Sequence, residues 1–110
     1  MDIPTVSALL RIYTEEADRD GLKPLYESIV LKAREAGLAG ATVLRGPMGF
    51  GVSTRIHTAR ILDLSANLPI VIEIVDAEDK LRAFAASLAG LKDIGLVTLG
   101  PVEVLHYGHG

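Results

Sequence analysis

The chain has 110 residues, no cysteine, 11 basic against 14 acidic side chains and a formal net charge of −3. Leu, Ile, Val and Phe supply 36 residues, enough for one compact domain with a core of its own and too many for a disordered chain. Disulfides, thiolate metal sites and cysteine nucleophiles are excluded, the acidic balance argues against general nucleic-acid binding, and no apolar run approaches the ~18 residues of a membrane span. No basic-then-apolar signal segment opens the chain, so the expected location is the cytoplasm, without membrane insertion.

Hydrophobic periodicity alternates between period two and period 3.6 along the chain. Residues 6–13 read as a strand, with Ala8, Leu10 and Ile12 on one face and Leu9, Arg11 and Tyr13 on the other. A charged loop at 14–21 follows. Leu22, Leu25, Tyr26, Ile29, Val30 and Ala33 form a helical stripe. Pro24 must lie within the first three helical positions, which puts the cap at Gly21, Leu22 or Lys23, and Gly37 is the expected stop. Residues 41–45 read as a second strand and 68–75 as a third. Asp76 is expected to cap a second helix whose buried stripe is Ala77, Leu81, Phe84, Ala85 and Leu88, with Glu78 and Arg82 paired outside and Gly90 at its end. Residues 94–99 give a fourth strand, and 102–107 extend the sheet beyond a break at Gly100-Pro101.

This order is the α+β, ferredoxin-like βαββαβ arrangement, an antiparallel sheet with two helices on one face, over a single domain at 1–110. The sheet's other face should alternate to polar residues if it meets water. Instead Leu9, Tyr13, Val71 and Val75, with Val43 assigned beside them, make it apolar, while Arg11, Arg45 and Glu73 are sparse charges able to pair across it. Such a face predicts an oligomer.

A long connection at 46–67 is the main candidate for function, since a hairpin needs two to five residues. It opens with Arg45-Gly46-Pro47-Met48-Gly49-Phe50-Gly51 and continues through Arg55, His57 and Arg60, with Asp63 its only acid. Glycine-rich backbone can turn N–H groups toward an anion, and arginines bind phosphate oxygens through two parallel bonds. A glycine-rich turn followed by a solvated arm accounts for the same residues. Known phosphate motifs fail here. Gly46 to Gly51 has P-loop spacing, but Val52-Ser53 replaces the Lys-Ser/Thr, and Thr54 stands where a dinucleotide fingerprint needs its third glycine.

Other constellations carry less. Glu16, Asp18, Asp20, Gly21 and Glu27 match calcium-loop positions, yet a strand precedes them and Pro24 starts a helix inside the loop. His106 and His109 are spaced to touch a metal but sit in a terminal segment without a carboxylate cluster. Ser53 and Thr54 lack an oriented base and an oxyanion site, so no catalytic residue is assigned and hydrolase chemistry is not expected. Gly95 lies in the turn into the last strand, where it serves the turn or a close backbone approach to a ligand.

Lys23-Pro24-Leu25-Tyr26-Glu27, the segment from Arg45 to Gly51 with His57 beyond it, the strand from Leu68 to Asp76, and Gly95-Leu96-Val97-Thr98 together resemble an uncharacterised bacterial and archaeal family. It is known as domain of unknown function number 190 and is similar to nitrogen-regulatory PII proteins. The resemblance covers about residues 7–107. It implies a homotrimer of ferredoxin-like subunits, a non-enzymatic signalling role, and an adenine nucleotide (ATP, ADP or AMP) as effector in clefts between subunits, with no required cofactor. It further implies that the long connection engages a regulated transporter or enzyme. The ligand residues expected on this basis are Arg45, Gly46, Gly49, Phe50, Gly51, Arg55, His57 and Gly95, with no metal ligand assigned. The chain departs from true PII proteins in two places: the connection contains no tyrosine for modification, and Glu103 and Leu105 stand where those proteins carry basic residues. A trimeric CutA-like metal binder using His57 or the terminal histidines, and a scaffold without a small ligand, are the alternatives.

Overall fold

The structure, a computed structural model, describes residues 3–51, 56–58 and 67–108. Four strands, β1 (Val6–Glu15), β2 (Thr42–Arg45), β3 (Pro69–Asp76) and β4 (Leu96–Glu103), form one antiparallel sheet in the order β2-β3-β1-β4. Helix α1 (Leu25–Glu35) lies between β1 and β2, and α2 (Glu78–Ser87) between β3 and β4. This is the expected ferredoxin-like arrangement. β1 and β3 are central because they are long and strictly alternating. Leu10 faces Ile74 and Ile12 faces Ile72 across their ladder, and all four are buried. With Leu25, Ile29, Ala33, Leu81, Phe84 and Leu88 from the helices they make the core.

Helix α1 starts later than Pro24 implied. Pro24 is itself the N-cap, with φ −57° and ψ 138°, and Leu25 is the first helical residue. The preceding residues turn back instead: Asp20 pairs with Lys23, and Gly21 takes φ +62°. That left-handed turn puts Leu22 at its tip, 100% exposed and outside the helical stripe assigned to it. Gly37, at φ +75°, does end the helix, and Leu38 N–H bonds back to Ala33 O at 3.2 Å.

Asp76 also behaves differently from a helix cap. Ala77 is the N-cap of α2 and makes no side-chain cap bond. The Asp76 carboxylate, 1% exposed, accepts the N–H of Ala77 at 2.7 Å and the N–H of Ala39 at 3.0 Å. It thus ties the turn after α1 to the end of β3. Glu78 and Arg82 pair on the outside of α2 at 2.8 Å, as expected.

β4 runs unbroken through Gly100-Pro101 to Glu103. An edge strand has only one ladder to feed, so a proline lacking its N–H is tolerated there. Beyond it, Val104 N–H bonds Thr5 O at 2.7 Å, and the Tyr107 hydroxyl donates to Ala39 O at 3.2 Å. The first of these bonds prolongs the β1–β4 ladder by one residue, and the second shows that the chain beyond it turns toward the end of α1 rather than continuing the strand to Tyr107.

Register corrects the reading of the open face. Val43 lies opposite Ile72 and Arg45 opposite Ile70, so both belong to the helix-covered side. Thr42 and Leu44, opposite Glu73 and Val71, occupy the open side instead. That side carries Leu9, Tyr13, Leu44, Val71, Val75, Leu96 and Val102, with Arg11 paired to Glu73 at 2.9 Å directly across the β1–β3 ladder. The Glu73 carboxylate, chiefly through this hydrogen bond, holds the Arg11 guanidinium above its ordinary pKa. Arg45 takes no part in that pair. Among the described residues no helix is long and apolar enough to cross a membrane.

Candidate functional site

The described candidate ligand residues lie at one end of the sheet, where β1 and β2 end and β3 and β4 begin. Within the long connection, Met48–Gly49 pairs with His57–Thr58 in a short antiparallel ladder, so this segment is not structureless throughout. Arg55 lies outside the described residues, as do Arg60, Asp63, His109 and the side chain of His57.

Gly46 donates its N–H to Pro69 O at 2.9 Å, which prolongs the β2–β3 ladder by one bond. A Cβ on Gly46 would stand 3.1 Å from Pro69 Cγ, and one on Gly49 would stand 3.2 Å from the same atom. A side chain at either glycine would therefore press on the Pro69 ring, over which the connection folds. Gly95 donates to Tyr13 O at 2.9 Å, and a Cβ there would lie 3.4 Å from that oxygen. The N–H groups of Gly46 and Gly95 are thus held by the protein's own carbonyls. Gly51 has nothing within 4 Å of a built Cβ. Phe50 is 70% exposed, with Met48 and Ile56 also exposed near the short ladder.

Arg45 is held by Glu16, Nη2 to Oε2 at 2.7 Å. Glu16 is carried on a loop that leaves β1 and is fastened to the far end of the connection. Glu16 N–H bonds Leu68 O at 2.8 Å, Ala17 N–H bonds Asn67 Oδ1 at 2.7 Å, and Asn67 Nδ2 donates to Glu15 Oε2 at 2.7 Å. Asp18 closes the loop internally, its carboxylate accepting the Thr14 hydroxyl at 2.5 Å and the Glu15 N–H at 2.8 Å. These acids serve local hydrogen bonds and an ion pair, in keeping with a structural reading of the calcium-like spacing. Among the described residues no group of three or more His, Asp or Glu side chains is disposed to hold a metal ion.

Gly95 sits at the same end of the sheet but on the opposite edge. β2 and β4 are separated by β3 and β1, so three strand spacings, about 14 Å, divide the two segments. Asp93, two residues before Gly95, takes φ +71°, a conformation Asp tolerates better than most residues. The Thr14 hydroxyl lies 3.5 Å from its carbonyl. Sequence reasoning identifies Arg45 and the glycines from local composition. It misses Glu16, Asn67 and Pro69, which act through contacts between distant segments; the Asn67-Leu68-Pro69 run at the mouth of β3 is the available signal.

Comparison with known proteins agrees with this architecture. Residues 7–104 match the family DUF190, described as "Uncharacterized ACR, COG1993". A UPF0166 protein of Aquifex aeolicus is 41% identical over 98 residues, 89% of this chain and 92% of that one. A UPF0166 protein of Methanocaldococcus jannaschii is 34% identical over 97 residues, 87% and 89% of the two chains. Among solved structures, a PII-like signaling protein from Thermus thermophilus has a similar fold, with a TM-score of 0.67 and 18% identity, over 94% of this chain and 93% of that one. So does CPII, a nitrogen regulatory PII-like protein from Thiomonas intermedia solved with ADP, AMP and bicarbonate. Its TM-score is 0.59 at 18% identity, over 90% and 88% of the two chains. The fold is thus that of PII-like proteins, and at 41% identity over nearly the whole of a relative the chain belongs to the uncharacterised DUF190 (UPF0166) family.

Proposed function

We propose that this protein is a non-enzymatic, PII-like regulatory subunit that assembles as a homotrimer through its open sheet face and binds an adenine nucleotide between subunits. The observation that carries this reading is the division of the ligand residues between the two edges of one sheet end. In a single copy the backbones of Arg45 and Gly95 stand about 14 Å apart, on opposite edges of the sheet, and the Arg45 guanidinium is taken by Glu16. A phosphate group can touch both when the β2 edge of one copy meets the β4 edge of the next, and an apolar open face supports such an assembly. The structural neighbour bound to ADP and AMP supports the ligand class.

On this reading the chain is a single domain over 1–110. Arg45, Arg55 and His57 supply positive charge and hydrogen bonds, Gly46, Gly49, Gly51 and Gly95 admit the ligand to backbone, and Phe50 offers an exposed aromatic face. The connection at 46–67 changes shape with the ligand and carries the signal to a transporter or enzyme in the cytoplasm. The test is a thermal melt of the full chain with ATP, ADP, AMP, phosphate and divalent metals. A bound nucleotide at a hundred times its Kd adds about 2.7 kcal/mol, a rise of several degrees in Tm. No rise with any adenine nucleotide at millimolar concentration overturns the reading, and a rise with divalent metals alone replaces it with metal binding.

A further inference from the structure

We infer that Glu16 competes internally with the anionic ligand for Arg45, so that ligand binding and loss of the Arg45–Glu16 ion pair are a single exchange. The inference rests on the reading of Arg45 as a ligand residue. The two partners are unequally held. Glu16 lies on backbone pinned by its own N–H to Leu68 O and by Ala17 N–H to Asn67, whereas Arg45 reaches it through a long, flexible side chain. The Arg45 side chain is 59% exposed and that of Glu16 26%, so the guanidinium can leave while the carboxylate stays. An ion pair at 2.7 Å uses the same kind of N–H donor that would grip a phosphate. A phosphate on the remaining edge of the guanidinium would sit within a few ångströms of the Glu16 carboxylate, and like charges at that range repel. Either arrangement makes the carboxylate an opponent of the ligand.

The coupling runs both ways. Whatever draws Arg45 away removes the ionic contact between the entry of the long connection and a loop that is bonded to its exit at Asn67 and Leu68. By linkage, weakening that ionic contact must favour the ligand by the same factor. The acidic run after β1 is then a clasp at the base of the connection.

The probe is inorganic pyrophosphate, which carries no base. It is titrated into wild type, Glu16→Gln and Asp20→Asn while the Arg45 Nε–H resonance is followed by NMR. The Asp20 variant removes the same charge nearby without touching Arg45. In Glu16→Gln the midpoint is expected to fall about 2- to 5-fold, the range of an exposed ion pair, and in Asp20→Asn to stay within experimental error of wild type. Equal midpoints in wild type and Glu16→Gln, an equal fall in both variants, or an Arg45 resonance that pyrophosphate never moves each overturns the clasp. ADP that fails to bind wild type, while pyrophosphate moves Arg45 with the expected difference, overturns the nucleotide reading and leaves the exchange standing.

Discussion

Asp76 holds two backbone N–H groups from separate turns with one carboxylate, and at 1% exposure no water replaces it. An unmet buried donor costs about 1–3 kcal/mol. Asp76→Ala should therefore lose about 2–4 kcal/mol in urea unfolding, and Asp76→Asn less, since one amide oxygen still accepts while the NH₂ group opposes the second N–H. A side chain that merely capped α2 would lose only about 1 kcal/mol on the same change. The glycines of the candidate site divide by the same kind of reasoning. Gly46→Ala pushes a methyl to 3.1 Å from the Pro69 ring, whereas Gly51→Ala enters open space. The first should destabilise by about 1 kcal/mol and the second by less than about 0.5. Pro69→Ala in the Gly46→Ala background should recover part of the loss, because the ring atom in conflict is gone. Urea melts of these variants beside wild type check the set.

At the scale of elements, the strands β1 and β3 are legible in the sequence because a two-residue period with one fully apolar face has a single folded solution. Helix boundaries are less legible. Leu22 fits the 3.6-residue stripe arithmetically, but the Asp20–Lys23 pairing around Gly21 removes it from the helix, and that pairing depends on a local turn conformation rather than on hydrophobic period. The face of β2 is obscure for a related reason. Four residues carry too little alternation to fix a face, so the register with β3 decides, and it turns Val43 and Arg45 toward the helix side. The candidate site shows the same division: glycine and arginine composition is local and visible, while the Glu16 carboxylate and Pro69 ring reach it from elsewhere in the chain. The helix boundary is directly testable. Leu22→Ser, at a fully exposed turn tip, should change stability by less than about 0.5 kcal/mol, while Leu25→Ala, fully buried at the first helical position, should cost about 2–5 kcal/mol. Equal losses in the two variants would mean that the helix begins before Pro24.

For the whole molecule the decisive surface is the open face. Leu44 and Leu96 at its margins are about half exposed, and Val71, Val75, Leu9 and Tyr13 line its middle. A monomer gains nothing by presenting these side chains to water, and the Arg11–Glu73 pair is arranged so that both charges meet within the face. Val71→Asp separates assembly from folding, because it adds a charge at the centre of this face and leaves the helix-covered core untouched. The wild-type chain is expected to sediment at three times its 11.7 kDa mass, and Val71→Asp at the mass of one chain with its melting transition still cooperative. Since the two halves of the proposed ligand cleft come from different copies, the same variant should also lose the rise in Tm with ADP. A monomeric Val71→Asp protein that still responds to ADP would put the whole nucleotide site within one copy. A variant that remains trimeric would assign the interface to another surface.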